Sequence, residues 1–201
     1  QPLPPQAGTY IGRAEDGLRR LNTILTRMRE ATRLEQMLRE VEPERFDLAR
    51  VVAGCVAGYG GAYPGHRFDL ALPGTPVWLM GAPDSVAQLL DKIVDNATDF
   101  SPPEAPIEVS ITLASGRAVL AVANLGPLLP ETMQGELFQS MISVRERAAT
   151  RADTPGAAPH LGLGLFMVRL IAEWHGATAS ARNREDGRGV RVEVAFPLAP
   201  Q

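Results

Sequence analysis

The segment HLGLGLFMVRLIAEWHG, His160–Gly176, decides how this chain is read. Gly162 and Gly164 alternate with Leu163 and Leu165, and an apolar, helix-forming run continues through Phe166, Val168, Leu170, Ile171 and Trp174. Ahead of it lies TRADTPGAAP (150–159), too rich in Pro, Gly and Ala for regular structure. A loop therefore enters a glycine turn, and the turn opens a buried helix. Backbone N–H groups at a helix start are unpaired and carry the positive end of the dipole, which suits phosphate. Glycine lets that backbone approach a ligand closely. Taken alone, the segment fits a loop with a packed helix behind it equally well. It is not the dinucleotide fingerprint, whose third glycine would stand at Met167, nor a P-loop, which needs Gly-Lys-Ser/Thr.

Composition narrows the class. With 201 residues the chain is long enough to bury a real core, in one or two domains. At 45% hydrophobic and 21% charged it has the profile of a soluble globular protein. A net charge of −3 leaves no electrostatic footprint for nucleic acid. Cys55 is the one cysteine, so an internal disulfide and a CxxC metal site are both excluded, and a reducing compartment fits. His66, His160 and His175 lack metal-ligand spacing and are expected at the surface or behind a site. No run approaches the 18 apolar residues of a membrane span. There is no signal peptide, and Gln1 with its Pro-rich start suggests a piece cut from a longer protein. Among the 20 basic residues there is one lysine, Lys92.

In chain order, residues 1–12 are expected to be a flexible lead. Residues 13–42 read as one long helix. Leu18, Leu21, Leu25, Met28, Thr32 and Leu38 keep close to heptad spacing, and Leu34 and Met37 widen the stripe. Such a stripe needs a partner: a helix hairpin or dimer bundle, since Pro43 separates the helix from the main domain. That domain reads as residues 45–201. Arg45–Asp47 is a short strand before a helix over Leu48–Ala57, and GYGGAYPG (58–65) is a turn. Arg67–Leu72 and Val77–Met80 are strands, and Asp84 or Ser85 caps a helix running to Phe100. Hairpins are expected at Ile107–Leu113 with Ala118–Ala123, and at Ala177–Asn183 with Gly189–Phe196. A short helix at Pro130–Gln139 and an arginine-bearing loop at 143–159 lie between them. The order predicts an α/β sandwich, one mixed sheet with helices on one face.

Two further stretches carry candidate chemistry. On the helix SVAQLLDKIVDNATDF (85–100), Ser85, Gln88, Lys92, Asn96 and Asp99 share one face, opposite Leu89, Leu90, Ile93, Val94 and Ala97. That is the pattern of a solvated face. Asparagine, however, is a poor mid-helix residue unless its amide is used, and an amide oxygen is a hard ligand suited to Mg²⁺. In Val122-Ala123-Asn124-Leu125-Gly126-Pro127 a strand ends in a turn. Asn124 offers a donor and acceptors for the edge of a base, with Gly126 admitting the ring; an ordinary turn reads the same way.

Taken together and in order, these pieces resemble the catalytic and ATP-binding domain of bacterial sensor histidine kinases, within the GHKL (Bergerat-fold) ATPases. KIVDNATDFS is similar to the N box, NLGPLLP to the G1 box, LFQSM (137–141) to the F box and HLGLGL to the G2 box. RLNTILTRMREATRLEQML followed by FDLARVV resembles the second helix of the dimerisation and phosphotransfer hairpin with its connector. The resemblance covers roughly residues 13–198, and the four boxes in order carry it. It implies an α+β fold, a two-layer sandwich preceded by a dimerisation-type helix. It implies ATP and Mg²⁺ as ligands, Asn96 on the metal, Asn124 on the adenine amino group, Gly126 beside the purine and Phe138 at the base of an ATP lid over 142–159. Gly162 and Gly164, with Leu163 and Leu165 between and after them, would lie under the triphosphate, and Arg145 or Arg147 would reach the phosphates. It further implies a homodimer through the long helix, a response-regulator receiver domain as partner, and a place in the cytoplasmic portion of a bacterial inner-membrane sensor protein.

Some positions depart from the pattern. Lys92 stands where the N box commonly has Asn or Glu, and it either competes with the metal or contacts phosphate. Asn124 replaces an aspartate, and Leu128 replaces the second G1 glycine. No histidine lies in a phospho-acceptor setting, so this chain alone is not expected to autophosphorylate. The alternatives are a degenerate interaction module of the same fold, or a gyrase-type ATPase; the latter lacks its N-box glutamate here.

Overall fold

The computed structural model describes residues 5–130, 137–138 and 163–200; at Leu163 and at part of the first helix it describes the backbone alone. The first helix, α1, is Pro5–Glu40. It begins at Pro5, so most of the lead expected to be flexible is helical; proline is well suited to the first turn, where its missing N–H is not needed. The helix stops ahead of Pro43, which cannot continue it. Leu34 and Leu38 are buried in the core, while Leu18, Leu21, Leu25 and Met28 stay exposed.

β1 (Glu44–Asp47) leads into α2 (Leu48–Ala62). Asp47 Oδ1 accepts from Ala49 N at 3.0 Å, capping the helix, and from Val77 N at 2.9 Å. The helix does not end near Ala57 but runs on through Gly58, Gly60 and Gly61. Tertiary contacts override the poor propensity of those glycines. Tyr59 donates to Asp91 Oδ1 at 2.7 Å, Tyr63 donates to Asp95 Oδ1 at 2.6 Å, and both rings pack on Phe68. Burial and these carboxylates push both phenol pKa values well above the ordinary tyrosine range.

β2 (Arg67–Ala71) and β3 (Trp78–Gly81) come next, then α3 (Pro83–Phe100). α3 starts at Pro83 without a side-chain cap, not at Asp84 or Ser85. Its Val86, Leu89, Leu90, Ile93, Val94 and Ala97 are buried, each large one worth roughly 2 kcal/mol on transfer from water. β4 (Pro106–Ala114) and β5 (Arg117–Leu125) form a hairpin over Ser115 and Gly116, both at positive φ (51° and 72°) as a two-residue turn needs. α4 (Leu163–Trp174) precedes the last hairpin, β6 (Thr178–Asn183) and β7 (Gly189–Pro197). Of the short helix expected at 130–139, only 137–138 among residues 131–139 are described, and they form a turn.

The expected single sheet is divided. β1 and β3 pair with each other as an antiparallel ribbon, and the main sheet runs β2-β4-β5-β7-β6. It is mixed: β2 lies parallel to β4, and every other pair is antiparallel. Ile107, Val109, Ile111, Leu120, Val122, Val192, Val194 and Phe196 face the helices and form the core. The opposite face carries ion pairs, Arg191 and Arg182 to Glu193 and Arg184 to Glu108.

His175 is neither a surface nor a site residue. It is 7% exposed, accepts from Ala82 N at Nε2 (3.0 Å) and has Nδ1 at 2.7 Å from the Ile171 carbonyl. A Cβ at Gly81 would run into its ring. Burial holds its pKa below the ordinary 6.5, so it is neutral in the fold. A base with a depressed folded pKa contributes fully above its unfolded pKa, and stability falls as pH drops below about 6.5 because the unfolded chain takes up the proton first. The expected result is a lower urea midpoint at pH 5.5 than at pH 7.5, with a smaller difference in His175→Gln.

Candidate functional site

The N-box helix, the end of β5 and the first turn of α4 converge on one open cleft of about 630 Å³, within the range of small-molecule sites. Among the described residues its lining is apolar except for two side chains, Asn96 and Asn124. Ile93, Phe100, Leu129, Leu137, Leu165 and Val190 supply much of the rest.

Asn124 sits at the end of β5 and is 6% exposed. Its Nδ2 donates to the Leu125 carbonyl at 2.8 Å. That leaves Oδ1 as an acceptor at the wall of an apolar slot, suited to an N–H donor on a flat heterocycle. The bond also accounts for an amide here: a carboxylate would set an oxygen against the Leu125 carbonyl. Gly126, next but one, has φ +143°. A Cβ there would overlap the Phe100 carbonyl, so the turn and α3 approach as closely as backbones can.

Asn96 Nδ2 donates to the carbonyl of Lys92, one turn earlier, at 2.8 Å. A carbonyl only accepts, so the amide orientation is fixed and Oδ1 faces outward with no hydrogen bond among the described residues. Gly164, in the first turn of α4, lies directly across: a Cβ on it would be 3.2 Å from Asn96 Nδ2 and 3.8 Å from the Lys92 carbonyl. Backbone N–H groups of an opening helix therefore stand beside the free amide oxygen. One hard oxygen beside an anion-binding helix start fits Mg²⁺, which takes few protein ligands and completes its shell with phosphate and water.

Lys92 does not line the cleft. Its Nζ lies 3.5 Å from Asp95 Oδ2, along the helix, while Tyr63 holds the other carboxylate oxygen. Leu165 lines the cleft and Leu163 begins α4. Phe138 is 6% exposed, in the core, and its neighbour Leu137 lines the cleft instead. Leu128, the departure from glycine, also lines it. Gly162, Arg145, Arg147 and the 142–159 segment lie outside the described residues. Sequence reasoning missed Phe100, Leu129, Leu137 and Val190; an apolar residue after a helix or in a closing strand has no signal separating cleft wall from core.

Residues 81–200 match the model of the histidine kinase-, DNA gyrase B- and HSP90-like ATPases. This chain belongs to that family. Among its relatives is the sensor histidine kinase TrcS of Mycobacterium tuberculosis, 27% identical over 205 residues, covering 99% of this chain and 38% of TrcS. The structure of the mycobacterial sensor histidine kinase MprB shares the fold with a TM-score of 0.63 at 20% identity, covering 79% of this chain and 99% of that one. The Acinetobacter baumannii histidine kinase AdeS does so with a TM-score of 0.64 at 18% identity, covering all of this chain and 87% of that one. The chain is thus an ATPase domain of the sensor histidine kinase type, with the α+β fold of those domains. It spans well under half the length of TrcS.

Proposed function

We propose that the cleft binds Mg-ATP and presents the γ-phosphoryl group to a histidine on a helical segment outside this chain. One observation carries the reading. Asn96 and Asn124 are the two polar side chains in the described lining, each with its amide hydrogen already used and its oxygen free. Asn124 Oδ1 accepts from the adenine amino group, and Gly126 lets the ring lie against the backbone. Asn96 Oδ1 would hold the metal, and the α4 start with Gly164 would receive the phosphates. When bound, Mg²⁺ supplies charge neutralisation on the phosphate oxygens. The protein contributes mainly positioning and electrostatics.

The exposed Leu18, Leu21, Leu25 and Met28 of α1 support a homodimer through this helix as the second arm of a phosphotransfer hairpin. A response-regulator receiver domain would take the phosphoryl group next. No helix among the described residues is long and apolar enough to cross a membrane, and we assign the chain to the cytoplasmic portion of a membrane sensor from its relatives. The alternative, an interaction module without nucleotide, has the open cleft and its two free amide oxygens against it.

The test is transfer. The chain, with the preceding segment of its own protein that carries the acceptor histidine, is incubated with labelled Mg-ATP. Acid-labile, base-stable label on histidine is expected, and is lost in Asn96→Ala. Tight nucleotide binding without any label would refute histidine transfer while leaving the nucleotide site standing.

A further inference from the structure

The loop after Gly126 has lost the glycine usual at position 128, yet it forms one wall of the cleft through Pro127, Leu128 and Leu129. Such a loop must be held from outside. One side chain holds it. Leu129 N–H donates to Asn183 Oδ1 at 2.7 Å, and Asn183 Nδ2 donates to the Leu129 carbonyl at 3.0 Å. The asparagine at the end of β6 thus pairs both backbone groups of Leu129, as a neighbouring strand would, across 54 residues of sequence. From the same hairpin the Arg188 carbonyl accepts from Gly126 N at 3.0 Å.

The hairpin itself is braced. Arg184 pairs with Asp186 at 3.2 Å and with Glu108 of β4 at 3.1 Å, and Asp186 Oδ1 accepts from Arg188 N at 3.1 Å. The base-facing loop is therefore gripped at both ends, Gly126 and Leu129, by the last hairpin of the fold. The cleft side of the loop faces Asn124, whose free Oδ1 lies across from it.

We propose that Asn183 is a positioning residue for adenine recognition, setting the 127–129 wall at the distance that presses the base onto Asn124. The inference rests on the nucleotide reading of the cleft. Asn183 does not line the cleft, so it acts through Leu129. Losing the clamp lets the wall move, which weakens the ligand that depends on the Asn124 contact more than one that does not.

The experiment compares ADP with inosine diphosphate, which has a carbonyl in place of the adenine amino group. Calorimetric titrations are run on the wild-type chain and on Asn183→Ala. Wild type is expected to prefer ADP. Asn183→Ala is expected to lose about tenfold in ADP affinity, the scale of one well-made hydrogen bond, with a smaller loss for inosine diphosphate. Unchanged ADP affinity, or an equal loss for both ligands, overturns the proposal, since a purely structural role would not change the ratio. If Asn183→Ala does not fold, Asn183→Asp carries the same comparison: it keeps the acceptor for Leu129 N–H and removes only the donor. A wild-type chain that binds neither nucleotide at millimolar concentration overturns the nucleotide reading itself.

Discussion

Gly126→Ala is expected to destabilise the chain by about 3 kcal/mol and to abolish ADP binding. Two separate penalties act at that position. The backbone stands at φ +143°, where an L side chain is strained, and the added Cβ would overlap the Phe100 carbonyl. Neither neighbour can give way cheaply. The carbonyl belongs to the last residue of α3, and Gly126 N is tied to the Arg188 carbonyl at 3.0 Å. Relief requires the turn to leave α3, which opens the base end of the cleft. Gly61→Ala is the control: nothing lies within 4 Å of a Cβ there and the residue is helical, so a neutral or stabilising change is expected. Urea unfolding of the two variants tests the contrast. A Gly126→Ala midpoint equal to wild type would mean that the turn is not built as described.

Asn96→Ala is expected to act in the opposite way, sparing the fold and removing function. Asn96 is half-buried, and its one hydrogen bond returns to its own helix at Lys92. Alanine is the better helix former, so the melting temperature should hold or rise slightly. The free Oδ1 disappears, and with it the protein's hard ligand beside the α4 start. Nucleotide affinity in Mg²⁺ is expected to fall on the order of 100-fold, the upper range seen even for groups that only orient metal ligands. Affinity in EDTA should change little. Equal losses with and without Mg²⁺ would assign Asn96 a packing role. Lys92 does not fill the gap, because its ammonium is engaged along the helix by Asp95, whose second oxygen Tyr63 holds.

Much of the site was legible because it rests on local oddities. An asparagine in the middle of an amphipathic helix, another where a strand meets a glycine turn, and glycines opening a helix each break the pattern around them. The sequence pattern of α3 was equally clear, its buried stripe running from Val86 to Ala97. Long-range pairing left no such mark. The glycine-rich 58–62 stretch looks like a turn until Asp91 and Asp95 are known to hold Tyr59 and Tyr63. His175 looks like a surface residue until Gly81 is seen to leave room for its ring. β1 and β3 alternate like any other strands, and nothing local separates their ribbon from the main sheet. Asn183 reads as the last residue before an ordinary Asp-Gly hairpin, because its partner Leu129 is 54 positions away.

The central claim is that adenine lies against Asn124 and a metal-bound triphosphate against Asn96 in one cleft. The most direct measurement is an NMR titration of the chain with a non-hydrolysable ATP analogue, first in EDTA and then with Mg²⁺. The Asn124 side-chain amide and the Gly126 and Leu129 backbone amides are expected to shift on the first addition, and the Asn96 side chain and Gly164 to shift further when Mg²⁺ is added. No shift at these five positions at millimolar analogue, or shifts confined to another face of the sheet, would contradict the claim.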